Sequence, residues 1–312
     1  MHLNPSNQTT VDYFIIKGIS DVPELQLPIF LLVLLIYLVT LGGNMTILLL
    51  VCLDHSLHTP MYFFLANLSI VDMSSSTISL HTVPLIFISG NYAISFNGCI
   101  TQMYLFAAIM GHKLFILSAM SYDRYVAVCN PLRYHSVMTW GICALLASFC
   151  WVLGFLLIIP PVVVVSGFTC YMTNHIDHFF CDIMSIARMT CSDTSLLEIL
   201  NLTEGLLVFT IVPFILTFIP YGFIISAIIK IPTSSGRRKA FYTCSSHLTV
   251  VIIIYITLTC QYVLPVMVNS TDKKFFSLFN TAAVPMLNPL IYSLKNKDVK
   301  SALRRLFIKN KI

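Results

Sequence analysis

The sequence predicts an all-α membrane protein in which seven transmembrane helices form one bundle. Composition is the first observation: 57% of the 312 residues are hydrophobic and 10% are charged, with a mean hydropathy of +0.85. A soluble domain needs a more polar surface than this. The second observation is that apolar runs of about 20 residues or more, the length that crosses a bilayer, recur seven times.

The seven predicted spans divide the chain into a tail, a helical domain and a second tail. They cover roughly 28–53, 60–80, 99–126, 140–160, 197–229, 240–264 and 275–294. Residues 1–27 are expected to form an extracellular tail without the apolar core of a cleavable signal peptide, so the first span itself would direct insertion. Residues 28–294 form the helical domain, and 295–312 form a cytoplasmic tail. Prolines inside the spans are expected to cause kinks rather than breaks: Pro160, Pro213, Pro220, Pro265, Pro285 and Pro289.

A charged pair ends the third span. Asp123 and Arg124 follow about twenty mostly apolar residues, and charge is costly in lipid but tolerated at the membrane surface. Pro131 disfavours helical geometry at the residue before it. The helix is therefore predicted to end at Asn130, and a short basic loop with Arg133 should follow at the membrane boundary.

Basic residues predict the orientation. If the chain crosses seven times, 13 of the 18 Lys and Arg residues fall on one side, which favours that side as cytoplasmic. The C-terminus is thus predicted to be cytoplasmic and the N-terminus extracellular. Glycosylation sequons at Asn7 and Asn269 then lie outside the cell. Those at Asn44, Asn67 and Asn201 lie in or beside helices, where modification is not expected.

Four of the ten cysteines lie at or beyond the predicted outer boundary, in an oxidising compartment. They are Cys99, Cys170, Cys181 and Cys191, which allow three pairings. Zinc binding by Cys170, His175, His178 and Cys181 is an alternative, although its spacing fits no common structural zinc motif. The remaining cysteines are predicted to be free: Cys52, Cys129, Cys143, Cys150, Cys244 and Cys260.

The cytoplasmic surface is predicted to be short and basic. Residues 233–239 make the loop before the sixth span, and residues 295–312 form a short amphipathic helix along the membrane. One side of that helix carries Val299, Leu303, Leu306 and Phe307. Both segments suit anionic membrane lipid as well as a protein partner. They supply the net charge of +5, which therefore does not indicate nucleic acid.

Motifs along nearly the whole chain resemble those of odorant receptors, the largest branch of the rhodopsin-like G-protein-coupled receptors. The third-span signature is residues 120–134, MSYDRYVAVCNPLRY. The others are 42–44 (GGN), 57–65 (LHTPMYFFL), 68–72 (LSIVD), 178–182 (HFFCD), 239–248 (KAFYTCSSHL) and 285–296 (PMLNPLIYSLKN). The resemblance implies a plasma-membrane receptor of olfactory sensory neuron cilia. It would bind small odorants and activate an olfactory-type stimulatory G protein of the cyclic-AMP pathway, with a trafficking chaperone as a further partner.

The resemblance also implies disulfides and a switch. The disulfides are Cys99–Cys181 and Cys170–Cys191, and the switch residues are Asp123, Arg124, Tyr125, Tyr221, His247, Asn288, Pro289 and Tyr292. Arg124 would pair with Asp123 at rest and meet backbone carbonyls of a G protein helix when released. Tyr221 and Tyr292 would move inward to stabilise the open form, and His247 would cap the resting contact. The alternative is that the charged pair only marks the interface.

The odorant-facing positions implied by the resemblance lie in the outer halves of four helices. They are Tyr104, Phe106, Ala107, Met110, Gly111, Gly205, Leu206, Phe209, Tyr255, Thr259, Tyr262, Leu278 and Thr281. Most are apolar or aromatic, which suits a small, mostly hydrophobic ligand oriented by one or two hydrogen bonds. The third helix offers no carboxylate there, so a protonated amine is not expected as a ligand. Each residue has bundle packing as its alternative role.

Two ionisable residues inside the spans need a separate account. Asp72 and Lys113 are expected to face the bundle, because charge facing lipid is costly. Here the sequence departs from the family, since many odorant receptors carry Glu at the position of Lys113, which with the second-helix Asp resembles a sodium site. A Lys there should repel sodium and pair directly with Asp72. The alternative partner is a water or a backbone carbonyl.

Other classes of protein fit less well. A transporter or channel is also apolar and helical, but the chain has no internal repeat and no series of ionisable residues along a path. An enzyme needs a nucleophile-base or metal constellation, and none appears within the spans. No catalytic residue, cofactor or metal is therefore expected. A receptor of the same fold that responds to a metabolite in another tissue remains an alternative, because the same signalling motifs serve both.

Overall fold

The computed structural model describes residues 11–20, 22–90, 92–259, 270–295 and 297–309. Within them, three short strands accompany the helices: β1 (Tyr13–Ile16), β2 (Tyr92–Ser95) and β3 (His175–Ile176). The α-helices are α1 (Pro23–Leu53), α2 (Pro60–Leu80), α3 (Thr82–Ser89), α4 (Phe96–Cys129), α5 (Tyr134–Val137), α6 (Trp140–Leu156), α7 (Ile159–Ser166), α8 (Ile183–Ala187), α9 (Ser195–Leu200), α10 (Val212–Ile229), α11 (Ser234–Leu258), α12 (Ser270–Leu278), α13 (Val284–Lys295) and α14 (Lys297–Lys309). Two π-helical segments, Asn201–Ile211 and Phe279–Ala283, continue α9 into α10 and α12 into α13.

The predicted helical bundle is confirmed over the described residues. The seven spans correspond in order to α1, α2 with α3, α4, α6 with α7, α9 through α10, α11, and α12 through α13. The first five are long and apolar enough to cross a membrane, and α11 contains the shorter apolar stretch Cys244–Leu258. The predicted end of the sixth span at 260–264 lies outside the described residues, as does Pro265.

Several helices begin earlier than predicted, among them α1 and α11. α1 begins at Pro23, five residues before the predicted start of the first span, because proline is well tolerated in the first helical turn. α11 begins at Ser234, so the prediction that residues 233–239 form a loop is wrong. The Thr233 hydroxyl accepts a hydrogen bond from the Gly236 backbone N–H at 3.3 Å and caps the helix. The basic residues of this stretch therefore lie on the first turns of α11.

Proline interrupts two spans. The second is broken for one residue between α2 and α3, and the fourth is broken at residues 157–158 between α6 and α7. Pro84 and Pro160 explain both breaks, because each ring clashes with the carbonyl four residues earlier, which belongs to the last residue of α2 or α6. The expectation of kinks without breaks thus fails at Pro160. It holds at Pro220 and Pro289, which lie inside α10 and α13.

The three strands form a small sheet in the order β2-β1-β3. β1 pairs antiparallel with β2, with Tyr13 opposite Ser95, and parallel with β3, with Ile15 opposite His175. Phe14 points inward and is fully buried. The prediction of residues 1–27 as a tail does not include this strand, because the strand is four residues long and both of its partners are distant in sequence. The sheet ties the N-terminal segment to two loops at one end of the bundle.

Disulfides stabilise the same end. Cys99 is bonded to Cys181, and Cys170 is bonded to Cys191. The first bond joins the start of α4 to residues 167–194, called here the long loop, and the second closes that loop on itself. Because Cys170 and Cys181 are disulfide-bonded, the zinc alternative has lost both of its thiolate ligands. Free cysteines in the described part are Cys52, Cys129, Cys143, Cys150 and Cys244, while Cys260 lies outside it.

α4 is the central helix of the bundle. In an apolar stretch of 18 residues, 78% of the α4 residues are buried, against 11% in the corresponding stretch of α1. α6 packs closely on α4 at Gly154, where an added Cβ would lie 2.6 Å from the Ala108 carbonyl oxygen. We call the end with the sheet and disulfides the disulfide end, and the opposite end, where α4 terminates after Asp123 and Arg124, the Asp–Arg end.

Candidate functional site

A cavity of about 570 Å³ lies between α4, the π-helical segment of the fifth span and the long loop. Small-molecule sites typically measure roughly 300–1,000 Å³. The cavity is lined by Met103, Phe106, Ala107, Met110, Gly111, Leu114, Ile158, Cys181, Asp182, Ile183, Met184, Glu198, Asn201, Leu202, Gly205, Leu206, Phe209, Thr210 and Leu258. Its walls are therefore mostly aliphatic, aromatic and thioether groups with a few polar side chains.

Seven of the residues singled out as ligand-facing line this cavity. They are Phe106, Ala107, Met110, Gly111, Gly205, Leu206 and Phe209. All seven belong to the third and fifth spans. The structure thus brings the predicted third-span and fifth-span residues to one cavity, with the exception of Tyr104, and their role in binding stays a prediction.

The two predicted residues of the sixth span that the structure describes do not line the cavity. Tyr255 is buried and packs edge-on against two phenylalanine rings of α10. Thr259 donates its hydroxyl to the Tyr255 carbonyl at 2.8 Å, and Tyr262 lies outside the described residues. In the third span, Tyr104 faces α6 instead, where its hydroxyl donates to the Phe155 carbonyl at 3.3 Å.

The predicted residues of the seventh span are also separated from the cavity. Leu278 packs in a cluster with Phe179 and Phe180, two fully buried residues of the long loop. The Phe180 ring lies 4.7 Å from that of Phe106 on α4. The long loop therefore fills the space between α4 and the seventh span. Thr281 is buried within the seventh span and donates to a carbonyl of its own helix.

The fifth-span wall is π-helical. Every cavity residue between Asn201 and Thr210 lies in the π segment. The Thr210 hydroxyl donates to the Gly205 carbonyl at 2.9 Å, a contact across five residues. π-Helical turns occur often at functional sites. No sequence signal in this stretch distinguished it from an ordinary helix.

Gly111 lets this wall approach α4. A Cβ at Gly111 would lie 2.3 Å from the aromatic ring of Phe209. The ring occupies the space that a side chain would need. Glycine is therefore required at this position for the observed contact between α4 and the π segment.

Sequence reasoning missed the contribution of the long loop and of the start of the fifth span. Asp182 and Glu198 both line the cavity. Asp182 also caps α8 by accepting the Met184 backbone N–H at 3.1 Å. The signal that could have found Asp182 is its position next to Cys181, because a bond from Cys181 to Cys99 holds this part of the loop beside α4.

Asp72 and Lys113 meet inside the bundle. The Lys113 ammonium lies 2.7 Å from the Asp72 carboxylate, and both side chains are fully buried. The Asn288 amide donates to the other carboxylate oxygen at 2.6 Å. One buried charge cluster thus connects α2, α4 and α13.

Asp123 holds Arg124 at the other end of α4. Arg124 Nε donates to the Asp123 carboxylate at 2.9 Å, and the Tyr134 hydroxyl donates to its other oxygen at 2.8 Å. Burial and the neighbouring Asp123 raise the pKa of Tyr134, so the phenol keeps its proton for this bond. The Asp123 side chain is only 1% exposed, and its acceptors are directed at these two donors.

The fifth and sixth spans meet beside this pair. The Tyr221 hydroxyl lies 2.7 Å from His247 Nδ1, and both side chains are buried. Tyr125 packs in the same cluster as Tyr221 and Cys244. The predicted switch residues of α4, α10 and α11 therefore lie together.

Two of the three seventh-span switch residues lie toward α1 and α2. Pro289 contacts α1 so closely that a Cβ on Gly43 would lie 2.9 Å from its ring. Tyr292 is 1% exposed, and its hydroxyl has no hydrogen-bond partner among the described groups. Pro289 and Asn288 thus contact α1 and α2, whereas Tyr292 belongs to the core cluster that also includes Val250 and Val251 of α11.

α14 is docked on the Asp–Arg end. Arg305 donates to the Asp54 carboxylate at 2.9 and 2.7 Å. Hydrogen bonds from Ser56 and then from Arg305 lower the pKa of Asp54 to about 2. Val299 is 3% exposed and packs with the bundle core, as does Leu303. The side chain of Phe307 lies outside the described residues.

Comparison with known proteins supports one family. A family model described as olfactory receptor matches residues 33–310. The chain is 43% identical to human olfactory receptor 1N1 over 302 residues. The aligned region covers 96% of this chain and 97% of that protein. It is 41% identical over 307 residues to human olfactory receptor 13F1, covering 98% of this chain and 96% of that protein.

The structure is similar to that of squid rhodopsin, with a TM-score of 0.73 and 17% sequence identity over 92% of this chain and 82% of that one. This similarity supports the seven-helix fold alone. The family match and the relatives extend over nearly the whole chain. The chain is a multi-pass membrane receptor rather than an enzyme, and it belongs to the olfactory receptor family of G-protein-coupled receptors.

Proposed function

We propose that this chain is an odorant receptor that binds small, mostly hydrophobic ligands in the cavity and activates a stimulatory heterotrimeric G protein, which raises cyclic AMP. The observation that carries the proposal is the apolar cavity of about 570 Å³. One of its walls is α4, the helix that ends beyond Asp123 and Arg124. A single helix thus connects the ligand site to the readout.

Ligand binding changes the receptor only if one helix arrangement binds the ligand better than another. α4 and the π segment supply facing walls, and Gly111 and Phe209 are in contact across them. A ligand between these walls would favour a different spacing of the fifth span from α4. Below the cavity, Ser118 on α4 lies 3.0 Å from the Thr217 hydroxyl on α10. This polar contact would transmit the change along the same helix pair.

The readout is the release of Arg124. At rest, Asp123 accepts hydrogen bonds from Arg124 and Tyr134. Once released, a guanidinium can donate to backbone carbonyls of a G protein helix. The bond between Tyr221 and His247 holds α10 against α11 beside this pair, and its opening would let Tyr221 and Tyr292 turn inward.

The buried ion pair sets the resting state. A buried carboxylate needs a compensating charge, and the Lys113 ammonium supplies it to Asp72 at 2.7 Å. These residues do not fit the sodium site that the family resemblance implies. Agonist affinity should therefore not respond to sodium, and Lys113→Glu should strongly change basal activity. A shift in affinity with sodium that matched choline does not reproduce would contradict this proposal.

The disulfide end is proposed to face outward and the Asp–Arg end to face the cytoplasm. The basic first turns of α11 and the helix α14 would then face the G protein and anionic lipid. Glycosylation is proposed at Asn7 and Asn269, which lie outside the described residues. The proposed location is the plasma membrane of olfactory sensory neuron cilia, reached with the help of a trafficking chaperone.

The test is a cyclic-AMP assay in cells that express the receptor with the olfactory stimulatory G protein, across a panel of volatile and water-soluble odorants. Arg124→Ala should abolish the response. Arg188→Ala should preserve it, because Arg188 is an exposed residue of the long loop. Both variants are compared at equal surface labelling. A response that survives Arg124→Ala, or silence of the surface-labelled receptor across the panel, would contradict the proposed function.

A further inference from the structure

The charged groups in the cavity wall are all of one sign. Among the described lining residues, Asp182 and Glu198 carry carboxylates, and none is Lys, Arg or His. Asn201 adds an amide close by in sequence. These groups come from the long loop and the start of the fifth span, whereas the α4 side of the cavity is apolar. The cavity therefore has an apolar wall and an acceptor-rich wall.

Both carboxylates have acceptor capacity left. Glu198 accepts one described hydrogen bond, from the Thr194 hydroxyl to Oε1 at 2.9 Å. Asp182 accepts the backbone N–H groups of Met184 and Ser185 at a single oxygen, Oδ2. An ionised carboxylate accepts hydrogen bonds at both oxygens. A donor on a ligand could therefore bind without displacing these contacts.

Lys274, a basic residue that contacts the long loop, is already engaged. Lys274 lies 2.6 Å from the Asp177 carboxylate. A ligand acid at the acceptor-rich wall would meet two carboxylates of like charge, which disfavours its ionised form. A protonated amine there would form charge-assisted hydrogen bonds, which are stronger than neutral ones.

We propose that the ligand is an amphiphile whose polar end donates hydrogen bonds to Glu198 and Asp182 while its apolar body lies against α4 and the π segment. Amines and alcohols are favoured over carboxylic acids that have the same apolar body. The inference rests on the proposed odorant-receptor function and specifies its ligand class. It revises the sequence-based expectation against amines, which considered the third helix alone.

The test is a matched ligand series in which each alkyl chain is offered as an amine, an alcohol and a carboxylic acid, with cyclic-AMP dose-response curves at equal surface labelling. The amine and the alcohol should act at lower concentration than the acid. Glu198→Gln should raise the EC50 of the amine about tenfold and that of the alcohol less. Glu198→Lys should reverse the preference toward the acid. Glu24→Gln is the matched control, because Glu24 lies in the exposed first turn of α1 outside the cavity wall.

Two outcomes separate this inference from the function on which it rests. An acid as potent as the amine, or an amine EC50 unchanged by Glu198→Gln, would overturn the inference while the recorded response still supports an odorant receptor. Silence toward all three head groups across the whole series, with the receptor present at the surface, would count against the proposed function and remove the inference with it.

Discussion

The two ends of the bundle are stabilised by different chemistry. At the disulfide end, two covalent bonds and a three-stranded sheet hold the long loop beside the cavity. At the Asp–Arg end, the described polar contacts between segments are hydrogen bonds and ion pairs, such as Tyr221 with His247 and Arg305 with Asp54. A hydrogen bond contributes about 1 kcal/mol and can exchange partners, whereas a disulfide does not. The ligand end is therefore suited to keep its shape and the readout end to change.

Removing the disulfide that joins α4 to the long loop should give the largest effect. Cys99→Ser with Cys181→Ser opens a connection across 82 residues, and loop-closure entropy predicts a loss of about 4.5 kcal/mol. The Cys170–Cys191 pair spans 21 residues, and its removal should cost about 3.4 kcal/mol. Thermal unfolding in detergent and surface labelling measure both. Cys52→Ser, at an exposed free cysteine, is the control, and equal melting temperatures for all three would contradict the comparison.

Between the two ends, breaking the buried ion pair should cost nearly as much. Lys113→Met leaves the Asp72 carboxylate buried without its counter-charge, and such a change typically costs about 3–5 kcal/mol. The double variant Lys113→Met with Asp72→Asn should recover much of that loss, because no charge is then left unpaired. Thermal unfolding of the single and double variants measures the coupling. If the stability losses of Lys113→Met alone and Asp72→Asn alone simply added up in the double variant, the contact between the two side chains would not stabilise the receptor.

At the ligand end, Gly111→Ala should perturb the cavity without unfolding the receptor. The added Cβ would displace the Phe209 ring, and overpacking of this kind costs about 1–3 kcal/mol. The EC50 for an agonist should change while surface labelling stays near normal. Gly222→Ala on α10 is the matched control, since nothing lies within 4 Å of its Cβ position. An identical agonist response in both variants would remove Gly111 from the ligand site.

At the readout end, His247→Leu should raise basal signalling. It removes the contact with the Tyr221 hydroxyl, worth about 1 kcal/mol, and keeps Tyr221 available for the open form. Basal cyclic AMP at equal surface labelling should rise up to about fivefold, the factor that 1 kcal/mol represents. His175→Leu, at an exposed strand position of the disulfide end, should leave basal signalling unchanged. A fall in the basal signal of His247→Leu would show that the contact belongs to the active arrangement.

The smallest effect is expected from pH at the disulfide end. Burial lowers the pKa of His178, while Asp182 and Asp177 act in the opposite direction and Lys274 adds to the lowering. His178 is therefore harder to protonate in the folded receptor than in the unfolded chain, where it takes up a proton below about pH 6.5. Because the unfolded state then binds more protons, the stability of the folded receptor falls as pH falls. The difference between the melting temperatures at about pH 7.5 and about pH 5.5 should be larger in the unmodified receptor than in the His178→Gln variant. An unchanged difference would exclude His178 as the cause.

Much of the architecture could be predicted because it depends on local sequence. The resemblance to odorant receptors implied the ligand-facing positions on α4 and the fifth span, and Phe106, Gly111 and Phe209 among them line the cavity. Leu278 does not reach it, because Phe180 of the long loop lies between. No pattern within one helix indicates that a loop distant in sequence fills the bundle there. The break in the fourth span at Pro160 was also missed, although its cause is local.

The sequence by itself determined the membrane-spanning helices, their order and the charged boundary after the third span, because the cost of polar groups in lipid acts on each segment separately. It also supplied the Lys113 and Asp72 charges that had to face inward. Only the tertiary structure decided that these two groups meet at 2.7 Å and that the first strand pairs with two loops. It also decided that Asp182 and Glu198 line one cavity. These contacts join residues far apart in sequence, so their geometry exists only once the helices have packed.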